Sequence, residues 1–138
     1  DYTNIYNQDV EFMRANEAIV AFDAVALVGP TSTQYISVEK LDVSDAQKAS
    51  NLFFGIAQEA AATGEVVKIC TRGFTKAKVD ATDPVEGSAV VIAATVDAQV
   101  GALLIGAHDA TTVENTVVGV FLGVEDASDF AWIRLYGR

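Results

Sequence analysis

His108-Asp109 is the one place in this 138-residue chain where a histidine stands beside a carboxylate. An acid that orients a histidine is part of a nucleophilic triad, but the triad also needs a positioned Ser or Cys. The neighbours Gly106-Ala107 and Ala110-Thr111-Thr112 read instead as a surface loop. Cys70 is the only cysteine, so it makes no intramolecular disulfide and no cysteine-based zinc site. Strand alternation through Val66-Val67-Lys68-Ile69-Cys70-Thr71 puts Val66, Lys68 and Cys70 on one face. There Cys70 reads as a small apolar residue packed in or beside a sheet. Asp80, Asp83 and Glu86 are spaced by three, and Glu125, Asp126 and Asp129 cluster further on. Calcium takes oxygen ligands from such loops. Neither cluster follows the EF-hand pattern, and both read as solvated turn carboxylates. No GxGxxG or GxxxxGK[ST] phrase is present, so phosphate cradling has no support. The expectation is no catalytic residue, no metal site and no cofactor: the chain does not read as an enzyme.

The charge balance narrows the partners. Nine Lys and Arg against nineteen Asp and Glu give a net charge of −10. That argues against neutralising nucleic-acid phosphates and against docking on an anionic membrane. The chain is 51% hydrophobic, yet no run of 18 apolar residues suggests a membrane span. No basic segment followed by an apolar one opens it, so no secretory signal is expected in this form. It begins at Asp1 and has its only methionine at Met13, consistent with an omitted initiator or a processed start. Its length fits one domain able to bury a core without disulfides or metals.

The elements that would position any site are β-strands. Ala18–Phe22, Val25–Val28, Gln34–Val38, Leu52–Ala57, Glu65–Thr71, Thr75–Val79, Ala89–Ala93, Val100–Ile105 and Phe130–Tyr136 carry alternation or β-branched runs. Gly29-Pro30, Arg72-Gly73 and Asp80–Pro84 read as turns or loops. Ser44 as N-cap with Gln47 three residues on predicts one short helix near 44–50. Residues 1–16 show no clean period but hold six large side chains: Tyr2, Ile5, Tyr6, Val10, Phe12 and Met13. They read as an extended arm that orders against a neighbour, and these six are the candidate contacts.

The chain also repeats itself. Phe54-Gly55-Ile56-Ala57-Gln58-Glu59-Ala60 leads into Val67–Gly73, and Leu122-Gly123-Val124-Glu125-Asp126-Ala127 leads into Trp132–Gly137. Phe22–Leu27 similarly resembles Gly87–Ile92. Two pseudo-repeated β units, about 18–73 and 86–138, form one β domain over 17–138, expected to close as a barrel or sandwich that limits open edges. On the closing strand, Phe130, Trp132, Arg134 and Tyr136 share one face. Burial statistics favour core for Trp132. An aromatic and Arg contact surface is the alternative.

The phrase Gly-Ile-Ala…Glu-Ala-Ala-Ala…Gly-Glu-Val-Val over Phe54–Val67, the closing Arg72-Gly73, and the second copy over Gly119–Gly137 resemble the capsid decoration, or head cement, proteins of tailed double-stranded DNA phages. The resemblance implies a β-tulip or barrel-like body, an N-terminal arm on the shell, and no catalytic residues. It implies a virion structural protein, often trimeric. Such a protein binds the outside of the expanded capsid and bridges neighbouring copies of the major capsid protein. Its place would be the outer surface of the phage head, and the host cytoplasm during assembly. The alternative is a receptor- or glycan-binding β domain of a phage fibre or spike. A small hydrolase is the weakest reading.

Overall fold

The computed structural model describes residues 8–29, 36–41, 52–81, 86–92, 103–106, 117–124 and 130–137. Among them nine strands form: β1 Asp9–Ala15, β2 Ala24–Val28, β3 Ser37–Lys40, β4 Phe53–Ala57, β5 Val66–Ala81, β6 Ala89–Val91, β7 Leu103–Gly106, β8 Val117–Val124 and β9 Phe130–Leu135. Their order is β1-β3-β2-β4-β5-β7-β6-β8-β9, with further pairings β1–β5 and β5–β9. These two extra pairings close two five-stranded barrels, and the 16-residue β5 belongs to both. Closure leaves neither barrel with an open sheet edge of the kind that invites aggregation.

The barrels repeat strand for strand. Each opens with a strand parallel to the third, β1–β3 in one and β5–β7 in the other. Each continues through the same antiparallel pairs. Glu11↔Ile69 in the first barrel recurs as Thr75↔Ile133, so that 11 becomes 75 and 69 becomes 133, a shift of 64. Ile56↔Cys70 recurs as Val120↔Arg134 at the same shift. Val25↔Gly55 recurs as Val90↔Gly119, with β6 shifted by 65, and the bulge that follows Val25 has its counterpart after Val90. The pseudo-repeat is therefore real, but its phase differs from the sequence reading: the partner of Gly55 is Gly119, not Gly123. The reason is steric. A Cβ on Gly55 would lie 2.3 Å from the Cys70 carbonyl oxygen, and one on Gly119 would lie 2.3 Å from that of Arg134. At Gly123 such an atom meets nothing within 4 Å.

Three other expectations change. Arg72-Gly73 does not end a strand; pairing runs on through Gly73, whose φ of 110° bends β5 as it passes between barrels. The arm expected over residues 1–16 is a paired strand from Asp9, because β1 fills the gap between β3 and β5 that would otherwise stay open. Ala18–Phe22 makes only one bridge, Ile19↔Ala61, because the chain turns at once into Asp23. There Val20 N–H donates to the Asp23 carboxylate at 3.0 Å. The helix expected at 44–50 lies outside the described residues. Among those residues no helix is long and apolar enough to cross a membrane.

Alternation divides the side chains. Ala15, Ile19, Val25, Val38, Ala57, Ala61, Val67 and Ile69 fill the first barrel. Ala77, Val79, Val90, Leu103, Val118, Phe121, Ala131, Ile133 and Leu135 belong to the second, in one cluster with Ala24, Ala26, Leu41, Phe53, Ile56 and Cys70. Ala24, Ile56 and Cys70 lie side by side across β2, β4 and β5, with the opposite parity to Val25 and Ile69. They form the outer face of the first barrel. This face is dry because the second barrel packs over it, and burial of a side chain the size of Ile56 contributes about 1.5–3 kcal/mol.

Candidate interaction surface

The outer face of β1 and the first half of β5 carries Val10, Phe12 and Arg14 opposite Cys70, Lys68 and Val66. Phe12 is 62% exposed, Val66 53% and Val10 38%. Phe12 and Val66 are diagonal neighbours across the ladder, within reach of a large ring. Met13 has the other parity and packs into the first barrel's core, so it leaves the list of contact candidates. Tyr2, Ile5 and Tyr6 lie outside the described residues. Sequence reasoning misses Val66 as a contact residue. The signal is there, since alternation places it on the face of Lys68, and exposure follows once that face points outward.

This face is held rigidly. Gln8 donates from Nε2 to the Phe74 carbonyl at 2.8 Å and to Gln58 Oε1 at 3.1 Å. Arg14 Nη1 donates to the Gly64 carbonyl at 2.8 Å. Arg72 Nε stands 3.4 Å from Asp9 Oδ2, an exposed pair that contributes little by itself. The chain is thus tied to the body from residue 8 onward.

The second surface is the junction between barrels. Phe22 adopts φ 70°, a left-handed conformation that costs a residue with a Cβ roughly 1–2 kcal/mol. Its N–H donates to the Ala57 carbonyl at 2.7 Å, and its carbonyl accepts from Lys78 N–H at 2.9 Å. Its ring meets Phe130 edge-on at 5.9 Å, with Lys76 Nζ 5.3 Å from the ring centroid. Both contacts are favourable. The counterpart of Phe22 is Gly87, with φ 88° and its N–H on the Phe121 carbonyl at 2.9 Å.

On β9, Ala131, Ile133 and Leu135 point inward, while Phe130 and Trp132 are half-buried on the outside and Arg134 is exposed, as is Tyr136 just after the strand. Trp132 is therefore not core; alternation gives the small Ala131 that place. Near the middle of β5, an open cavity of about 470 Å³ is lined by Arg72, Phe74, Arg134 and Tyr136. Its functional groups are two guanidiniums and a phenol, which can bind but offer no nucleophile and base. Cys70 is fully buried, and burial raises its thiol to about 11, with the carbonyl of Arg72 accepting its S–H. His108 and the Glu125–Asp129 cluster lie outside the described residues, as does Asp83. Among the described residues no group of three or more His, Cys, Asp or Glu could hold a metal ion.

No protein-family model and no curated protein sequence matches the chain. Among solved structures, the fold is similar to that of the N base of the head fiber gp8.5 of bacteriophage phi29. The match has a TM-score of 0.56 at 12% identity and covers 93% of each chain. At this identity the likeness is one of fold.

Proposed function

We propose that this chain is a structural, non-catalytic protein of a phage virion, carried on the outside of the head. The observation that supports this most is the double-barrel architecture, which matches a phage head-fibre base along nearly the whole of both chains. The capsid-decoration resemblance of Phe54–Val67 and Gly119–Gly137 points to the same location by a separate route. In this reading the partner is the major capsid protein, contacted through Tyr2, Ile5 and Tyr6 ahead of β1. A protein that binds the expanded shell but not its free subunits stabilises that shell by mass action. Many symmetry-related copies make a modest contact sufficient.

A second reading keeps the location and changes the role. The chain would then be the base of a head fibre, anchoring a projecting part instead of bridging capsid subunits. The head-fibre neighbour favours it. One experiment addresses both. Purified protein is added to expanded heads assembled without it, and co-sedimentation and thermal rupture of the shell are measured. Binding with a raised rupture temperature supports bridging. Binding with no change in rupture supports the fibre base. Absence of binding removes both readings.

A further inference from the structure

Each barrel carries two faces that can meet a neighbour, and the chain joins only one such pair internally. Ala24, Ala26, Phe53 and Ile56 of β2 and β4 join the second barrel's buried cluster, and the Phe22 turn rests on that barrel's Lys76, Lys78 and Phe130. The shift of 64 carries those three positions back onto Phe12, Arg14 and Val66. In the first barrel this face is open, and it holds three of the seven large hydrophobic side chains exposed among the described residues: Val10, Phe12 and Val66. The shift of 65 carries the Phe22 turn onto the exposed Gly87 turn, which repeats its backbone hydrogen bonds. So the second barrel offers an unused turn and the first an unused strand face.

We propose that a second copy of this chain covers the Phe12 face, with the Gly87 turn and outer β6–β8 face of one copy seated on Val10, Phe12 and Val66 of the next. The side chains suit each other. Within the chain, the turn supplies the ring of Phe22 and the strand supplies Lys76. Between chains, the turn is a bare Gly87 and the strand supplies the ring of Phe12. Within the chain the turn brings a ring to the strand face; between chains the strand face brings a ring to the turn. Behind the turn stand Ala89, Val117 and Val120, each half-buried on the outside of the second barrel. The contact is head-to-tail, so it closes into a ring or extends as a filament. Because each copy carries a charge of −10, association strengthens as salt screens repulsion.

Sedimentation velocity on the whole chain, from micromolar to submillimolar concentration, tests this. The mass is expected to rise with concentration and with salt. Phe12→Glu, at a site exposed enough to leave folding intact, raises the dissociation constant at least about ten-fold, equivalent to 1.4 kcal/mol. Ala89→Arg spoils the opposite face. Each variant alone associates at least about ten-fold more weakly than the wild type, and their mixture forms a 1:1 heterodimer, because each keeps one intact face. A cysteine trap decides the matter should Ala89→Arg unfold: Phe12→Cys mixed with Glu86→Cys forms a cross-linked pair, and Phe12→Cys alone does not. Wild-type protein that stays monomeric, unchanged association of Phe12→Glu, or preferential 12-to-12 cross-linking overturns the proposal.

Discussion

Replacing Gly119 by alanine is expected to destabilise the protein severely, and replacing Gly123, four residues on in the same strand, is not. The added Cβ at 119 would stand 2.3 Å from the Arg134 carbonyl oxygen, whereas real Cβ contacts essentially never fall below 3.0 Å. The obstacle is backbone within the β8–β9 ladder, so one strand must move by most of an ångström and disturb its hydrogen bonds. Overpacking of this kind costs about 1–3 kcal/mol, with an unyielding backbone at the upper end. The alanine returns about 0.4–1 kcal/mol by restricting the unfolded chain. A net loss of about 2 kcal/mol lowers the melting temperature by roughly 4–10 °C for a domain of this size. Gly55→Ala should match it, since the Cys70 carbonyl stands at the same 2.3 Å. Gly29→Ala and Gly123→Ala meet nothing within 4 Å and should be neutral or slightly stabilising. Urea titration of the four variants supplies the comparison. Were Gly123→Ala the damaging change and Gly119→Ala harmless, the structural phase of the repeat would be wrong.

Further predictions concern the junction and the buried polar groups. Phe22→Gly should be less destabilising than Phe22→Ala by about 1 kcal/mol, since glycine adopts φ 70° freely and both lose the ring; chemical denaturation measures the difference. Asp23→Ala should cost about 1–3 kcal/mol, because it strands the Val20 N–H and removes the carboxylate 3.8 Å from Lys40; Asp23→Asn, which keeps an acceptor, should cost less. Cys70 should react with a thiol reagent at pH 8 about 100-fold more slowly in the folded than in the unfolded protein, as its thiol rises from 9.0 to about 11. The folded state holds that proton more tightly, so this contribution to stability is complete below pH 9. It is lost as the pH rises toward about 11, and Cys70→Ala should flatten the stability curve in that window.

Strands are legible in the sequence where alternation is strong. Val66–Cys70 and Phe130–Leu135 read as strands from their period, and the duplication is visible from Phe22–Leu27 against Gly87–Ile92, which the structure aligns at the same shift of 65. What is not legible depends on long-range pairing. Gly73 looks like a turn because a glycine that needs positive φ usually marks one. Only the partners Leu135 and Arg134 keep the chain extended through it. Residues 9–15 look like an arm because their pattern is irregular. Their strand state comes from β3 and β5, not from local preference. The phase of the repeat is misread because Gly123 and Gly119 both stand in Gly-Val phrases, and only the approach of the Arg134 carbonyl separates them. Val10 and Phe12, contact residues in the sequence reading, are exposed; their face is defined by Val66, distant along the chain but diagonal to Phe12 in the sheet.

The most direct test of a place on the virion is a difference map, by electron cryomicroscopy, between expanded heads assembled without this protein and the same heads after it is added. New density is expected on the outer surface only, repeated with the symmetry of the shell and large enough for two stacked five-stranded barrels per copy. Absence of new density, or density on the inner surface, would contradict that placement.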